Sequence, residues 1–115
     1  MIRVKILKSF NGNILKYLVD GHAGYSRKGN DIVCSAVSML SQTTLVSLNE
    51  VCGIDENEIY YHIDDNKGHM EVSIPSSLDS VKMNKAQIVM KTFETGIKLL
   101  IDSYGEYVTL ENGEV

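Results

Sequence analysis

A chain of 115 residues, 43% of them hydrophobic, is the size of one domain and long enough to bury a core. Its formal net charge of -4 argues against direct binding to nucleic acid, which usually needs a basic face, though it leaves room for a local basic patch. No apolar run approaches the ~20 residues that span a bilayer. The N-terminus also lacks the apolar core of a signal peptide. A cytoplasmic protein is therefore expected, with Cys34 and Cys52 reduced rather than joined.

Residues 2 to 8 alternate, with Ile2, Val4 and Ile6 set against Arg3, Lys5 and Lys8. That spacing predicts a strand with one covered face. Asn11-Gly12-Asn13 is a turn signal, and residues 14 to 20 read as the returning strand of a hairpin. A glycine-rich loop follows over residues 21 to 30. From Ile32 to Val51 the apolar positions Ile32, Val33, Ala36, Val37, Leu40, Leu48 and Val51 make a helical stripe. Asp31 or Asn30 is its natural N-cap and Gly53 its stop.

A second hairpin is predicted from Glu58 to Ile63 and from His69 to Ile74, turning over residues 64 to 68 and ended by Pro75. A second helix is predicted from about Val81 to Tyr104, with Ile88, Val89, Phe93, Ile97, Leu100 and Ile101 inward and Gly105 as its cap. Residues 107 to 110 would form a short last strand, with 111 to 115 fraying. The order ββαββαβ implies a single α+β domain over residues 1–115. Its economical form is two-layered, a mostly antiparallel sheet with both helices on one face.

Two residues in this pattern carry chemistry. Cys34, the third residue of a helix capped by Asp31, would lie near the unpaired amides and the positive end of the helix dipole. Both favour thiolate, so its pKa should fall below about 8.5. The alternative is a small buried hydrophobe. His22 sits in a loop bracketed by Gly21 and Gly24, which allows an imidazole to approach that helix start and take the thiol proton. Alone, it is an exposed loop histidine. Asp31 is first an N-cap and second a candidate to orient His22. Ser38, one turn beyond Cys34, either joins the site or bonds the Cys34 carbonyl, the latter being the commoner behaviour at this spacing. The amides of Val33 and Cys34 are the natural oxyanion donors, with Gly29 and Asn30 shaping the loop. His62, His69 and Cys52 match no zinc spacing, residues 64 to 68 lack the carboxylate that completes a calcium loop, and no phosphate-cradling motif occurs. No metal and no cofactor are expected.

The blocks Gly21-His22-Ala23-Gly24-Tyr25 and Asp31-Ile32-Val33-Cys34, followed by Ala36, Val37 and Ser38, resemble the signature of the ribosomal-processing cysteine protease (Prp) family. The order of elements is similar along the whole chain. The resemblance implies a cysteine endopeptidase without cofactor, with His22 and Cys34 catalytic and Asp31, Ser38 and Gly21 supporting them. It further implies a mobile loop between histidine and cysteine, a homodimer, and as substrate the N-terminal extension of ribosomal large-subunit protein L-twenty-seven. The variable Ser26-Arg27-Lys28 would tune substrate entry. A non-enzymatic ribosome-assembly or peptide-binding module is the alternative reading of the same residues. A thiol-transfer protein is disfavoured, because no Cys-x-x-Cys pair exists.

Overall fold

Alternation at the N-terminus decides the first two strands. Ile2, Val4 and Ile6 are buried while Arg3 and Lys5 face solvent, the period-two pattern of a strand covered on one side. A computed structural model, which describes residues 1–27 and 31–115, forms this strand as β1 (Ile2–Lys8), antiparallel to β2 (Ile14–Asp20). Then come α1 (Ile32–Glu50), a 3-10 turn (Glu56–Glu58), β3 (Tyr60–Asp64), β4 (His69–Ser73), α2 (Ser80–Tyr104) and β5 (Val108–Glu114). The order ββαββαβ is that of an α+β fold, as the residue pattern implies.

The five strands form one sheet in the order β3-β4-β2-β1-β5. Every pairing is antiparallel except β1 with β5. Tyr17 on β2 shows how the two layers lock. Its ring lies 4.5 Å from that of Phe93 on α2, and its hydroxyl donates to the Ser41 carbonyl on α1 at 2.7 Å. Burial pushes the Tyr17 phenol far above its ordinary pKa, so this donor stays protonated at any ordinary pH. Gln87 on α2 supplies a second lock. Its side chain accepts from Ile14 N–H at 2.7 Å and donates to the Ile14 carbonyl at 2.9 Å.

The buried stripes differ in detail from the apolar pattern. On α1 the buried residues are Val33, Val37, Ser41, Thr44 and Leu48. Ser41 and Thr44 occupy the inward face because their hydroxyls bond the Val37 and Leu40 carbonyls, at 2.7 Å each. That rotation leaves Ile32 53% and Val51 64% exposed, not inward. On α2 the stripe is Met83, Ala86, Gln87, Met90, Phe93 and Ile97. Ile88 is turned out at 68% exposure, because the polar Gln87 takes the inward place. By length and composition α1, at hydropathy 1.3, would pass as a membrane span. Its hydropathy comes from Ile, Val, Leu, Met, Ala and Cys, broken repeatedly by Ser and Thr, and its inward stripe belongs to the core shared with the sheet and α2.

Both chain-end expectations change as well. Gly105 does follow α2, but with φ −60 it is right-handed rather than a left-handed cap. The last residues do not fray. β5 runs to Glu114 in register with Lys8 of β1, and Val115 N–H donates to the Lys8 carbonyl at 2.9 Å. Backbone pairing with a central strand orders a segment whose side chains bury little.

Candidate active site

The end of β2 is held by backbone contacts that only glycine permits. Gly21, at φ +98, donates its N–H to the Gly68 carbonyl at 2.9 Å, and a Cβ there would run into the Met1 carbonyl. Gly68, in the β3–β4 turn at φ +63, faces it. A Cβ on Gly68 would come within 2.6 Å of the Gly21 carbonyl oxygen, 2.9 Å of His22 Cε1 and 3.0 Å of His22 Nε2. The imidazole of the exposed His22 thus rests against the bare backbone of Gly68, while Gly21 lets the chain turn just before it.

Across the loop, Asp31 caps α1. It is 5% exposed, and its Oδ1 accepts from Val33 N–H and Cys34 N–H at 3.0 Å each. Its Oδ2 accepts from Tyr25 N–H at 3.0 Å. One carboxylate therefore ties the histidine loop to the helix that carries the cysteine. Burial raises the Asp31 pKa, but amide hydrogen bonds from Cys34, Tyr25 and Ser26 outweigh it and hold the carboxyl below its ordinary value.

Cys34 is half-buried in the first turn of α1, and Ala23 N–H points at its Sγ from 3.2 Å. His22, Cys34 and Ser38 line one cleft of about 160 Å³, with Gln42, Ile63 and His69 further along its walls. The structure therefore brings four of the five sequence-derived positions, Gly21, His22, Cys34 and Ser38, around one space. The fifth, Asp31, lies behind it as the cap. Lys28, Gly29 and Asn30, to which roles in the loop were assigned, lie outside the described residues.

Three expectations are corrected by this geometry. The Cys34 thiol is not lowered. Burial pushes its pKa above the ordinary value, with Ala23 N–H pulling down and the Asp31 carboxylate adding to the rise. The cap that builds the helix end also neutralises its dipole toward the sulfur. Nor are the Val33 and Cys34 amides open for an oxyanion, because Asp31 occupies both. The donor aimed at the nucleophile is Ala23 N–H, which no side-chain pattern announces. Finally, Ser38 accepts from Gln42 Nε2 at 2.9 Å, where a bond to the Cys34 carbonyl was the commoner expectation.

Asp31 spends both carboxylate oxygens on backbone amides, so it builds the site without facing His22. Among the described residues the His22 ring makes no hydrogen bond. His62 and His69 lie with ring centroids 6.0 Å apart, and His69 Nδ1 is 3.4 Å from Asp20 Oδ1. Cys52 is buried just beyond α1. No cluster of three or more His, Cys, Asp or Glu suited to a metal ion occurs among the described residues. The cleft offers a thiol, an imidazole and a backbone donor at the sulfur, the groups that acyl transfer to a cysteine uses.

Known proteins agree with that chemistry. The ribosomal processing cysteine protease Prp of Staphylococcus aureus (strain Mu50) is 28% identical over 110 residues, covering 96% of this chain and 97% of that one. The protein of the same name from Bacillus subtilis is 26% identical over 104 residues, covering 90% of each. A solved structure from Streptococcus mutans superposes with TM-score 0.82 at 27% identity, covering 100% of this chain and 96% of the other. An essential ribosomal processing protease Prp from S. aureus, solved with a covalently linked product peptide, has the same fold at TM-score 0.81 and 24% identity, covering 97% and 99%. Residues 1–109 match the family model described as cysteine protease Prp, and the chain belongs to that cysteine protease family.

Proposed function

We propose that this single domain, residues 1–115, is a cytoplasmic homodimeric endopeptidase that trims the N-terminal extension of ribosomal large-subunit protein L-twenty-seven. The observation that carries the reading is the shared cleft of His22 and Cys34, with Ala23 N–H directed at the sulfur. The ribosomal substrate is supported by the names of the S. aureus and B. subtilis relatives.

The raised thiol pKa decides how the reaction starts. The resting nucleophile is a thiol, so it needs a base at the moment of attack rather than a standing thiolate. His22 takes the thiol proton as the sulfur adds to the scissile carbonyl carbon. The oxygen of the tetrahedral intermediate carries the negative charge, and Ala23 N–H, already directed at the sulfur, is the donor assigned to it. Collapse breaks the C–N bond. The imidazolium gives its proton to the leaving amine, and the acyl group remains as a thioester on Cys34. Water, deprotonated by His22, adds to the thioester. The second collapse releases the acid, and the proton returns to sulfur. No atom in this sequence comes from a cofactor. Asp31 supports the two loops and Gly21 lets the chain turn just before His22, while Ser38 lines the cleft.

The test is a synthetic peptide spanning the extension of the host's L-twenty-seven precursor, incubated with wild type, Cys34→Ala and His22→Ala and read by intact mass. Cleavage by wild type alone is expected. Equal cleavage by wild type and Cys34→Ala would refute the assignment.

A further inference from the structure

A groove leads away from Cys34 between α1 and β3. Near the nucleophile its walls are Ser38 and Gln42 on α1 and Ile63 on β3. One helical turn further on, a second hollow of about 330 Å³ is walled by Leu45, Val46 and Asn49 on α1 and by Ile59 and Tyr61, with the carboxylates Glu50 and Glu56 also lining it. Gln42 and Val46 are one turn apart, and Ile63 and Tyr61 are two residues apart on one strand face, so the two hollows lie in line.

β3 makes this groove unusual. Ile63 pairs with Met70 and Tyr61 with Val72, so both point to the core face of the sheet. Yet Tyr61 is 57% and Ile63 40% exposed, while Met70 and Val72 are buried. α1 covers β4 and leaves the outer strand bare. The backbone of β3 is bare as well. Gly68 and Ile74 bond toward β2, so His69, Glu71 and Ser73 between them face β3. Their partners Asp64, His62 and Tyr60 are thereby satisfied. Tyr61 and Ile63 turn their N–H and C=O groups outward, and no further strand pairs with them among the described residues.

We infer that this groove holds the substrate chain in extended form, and that the hollow beside Tyr61 receives an apolar side chain about five residues from the scissile bond. The inference rests on the peptidase reading above. The spacing follows from the helix. Val46 lies twelve residues beyond Cys34 along α1, roughly 18 Å at 1.5 Å per residue. An extended peptide covers that distance in about five residues. The occupant is a peptide because the groove opens into the cleft of Cys34 and His22. Its middle is walled by Leu45, Val46, Ile59 and Tyr61, of which Val46 and Tyr61 are open to solvent, and an outer strand offers main-chain donors and acceptors to an extended chain.

The experiment uses the same synthetic peptide and versions shortened from each end to three residues from the cleavage point. Tyr61→Ser changes an exposed side chain and should leave folding intact. With the full peptide its kcat/KM is expected about tenfold below wild type, mostly through KM. Shortening from one end should close that gap. In Cys34→Ser bound to the full peptide, hydrogen exchange of the Tyr61 and Ile63 amides should slow at least tenfold. A gap that persists at every length, no gap at all, or unchanged exchange at both amides overturns the groove while leaving a cleaving wild type a peptidase. Failure of wild type to cleave any of these peptides removes the peptidase reading and the groove's occupant together.

Discussion

Replacing Gly68 with alanine should disable the site from the β3–β4 turn. The new Cβ would stand 2.6 Å from the Gly21 carbonyl oxygen and 2.9 Å from His22 Cε1. Carbon contacts settle at ~3.5 Å or more, so the imidazole must retreat by roughly 0.5 Å or further. Misplacement of a catalytic group by about 1 Å costs on the order of 100-fold, which puts the expected loss in kcat/KM at roughly 10- to 100-fold. Stability changes too, because Gly68 has φ +63. A side chain in that conformation costs about 1–2 kcal/mol, or a Tm lower by roughly 4–10 °C. Gly53→Ala is the matched control. Gly53 has φ +72, with nothing within 4 Å of its Cβ position, so it carries the same backbone strain without touching His22. The assay is kcat/KM on the precursor peptide at a temperature where both variants are folded, with Tm by circular dichroism. Equal kcat/KM for the two variants would refute the claim that Gly68 seats the histidine.

Further outcomes are expected from the cap, the thiol and the core. Asp31→Asn puts an amide where Oδ2 accepts from Tyr25 N–H, so two donors oppose each other, and about 1–2 kcal/mol of stability should be lost near neutral pH. The wild-type carboxyl has a lowered folded pKa. Its stabilisation is therefore full above the unfolded value near 4 and fades as pH falls through the lower folded value. Urea midpoints of wild type and variant should converge as pH falls below the unfolded value near 4, and a constant difference would contradict the cap's role. Because burial raises the Cys34 thiol, its rate of alkylation by iodoacetamide in the free enzyme should rise with a midpoint above about pH 8.5. A midpoint below about 7 would contradict the thiol resting state. Gln87→Leu strands the buried Ile14 N–H and C=O and should cost about 2–4 kcal/mol in urea unfolding. A cost under about 0.5 kcal/mol would show that this lock is replaceable.

Local patterns were legible in the residues wherever the physics was local. The alternation of Ile2, Val4 and Ile6 marks β1. Asp31 marks the start of α1 because an aspartate two and three residues before two amides has an obvious partner. The blocks around His22 and Cys34 pointed to a common site because a short loop joins them. What escaped was long-range or carried by backbone. Gly68 lies in a turn that reads as an ordinary hairpin, and its contact with His22 exists only once β4 pairs with β2. Ala23 N–H aims at sulfur without any side-chain signature. Gln87 looks like a surface residue until Ile14 is placed beside it, and its burial turns Ile88 outward. The last residues of β5 read as fraying because their order comes from β1. The direction of the Cys34 pKa was misread for a related reason. A helix N-terminus favours a thiolate only while its amides are open, and here the capping carboxylate takes them and adds its own negative charge.

The central claim is that Cys34 carries the acyl group. It is tested most directly by acid-quenching wild-type enzyme during turnover of the precursor peptide and measuring intact protein mass, followed by peptide mapping. The account predicts an adduct equal to the N-terminal fragment in thioester linkage, located on Cys34 and absent from Cys34→Ala. Continued cleavage with no adduct, together with undiminished turnover by Cys34→Ala, would contradict it.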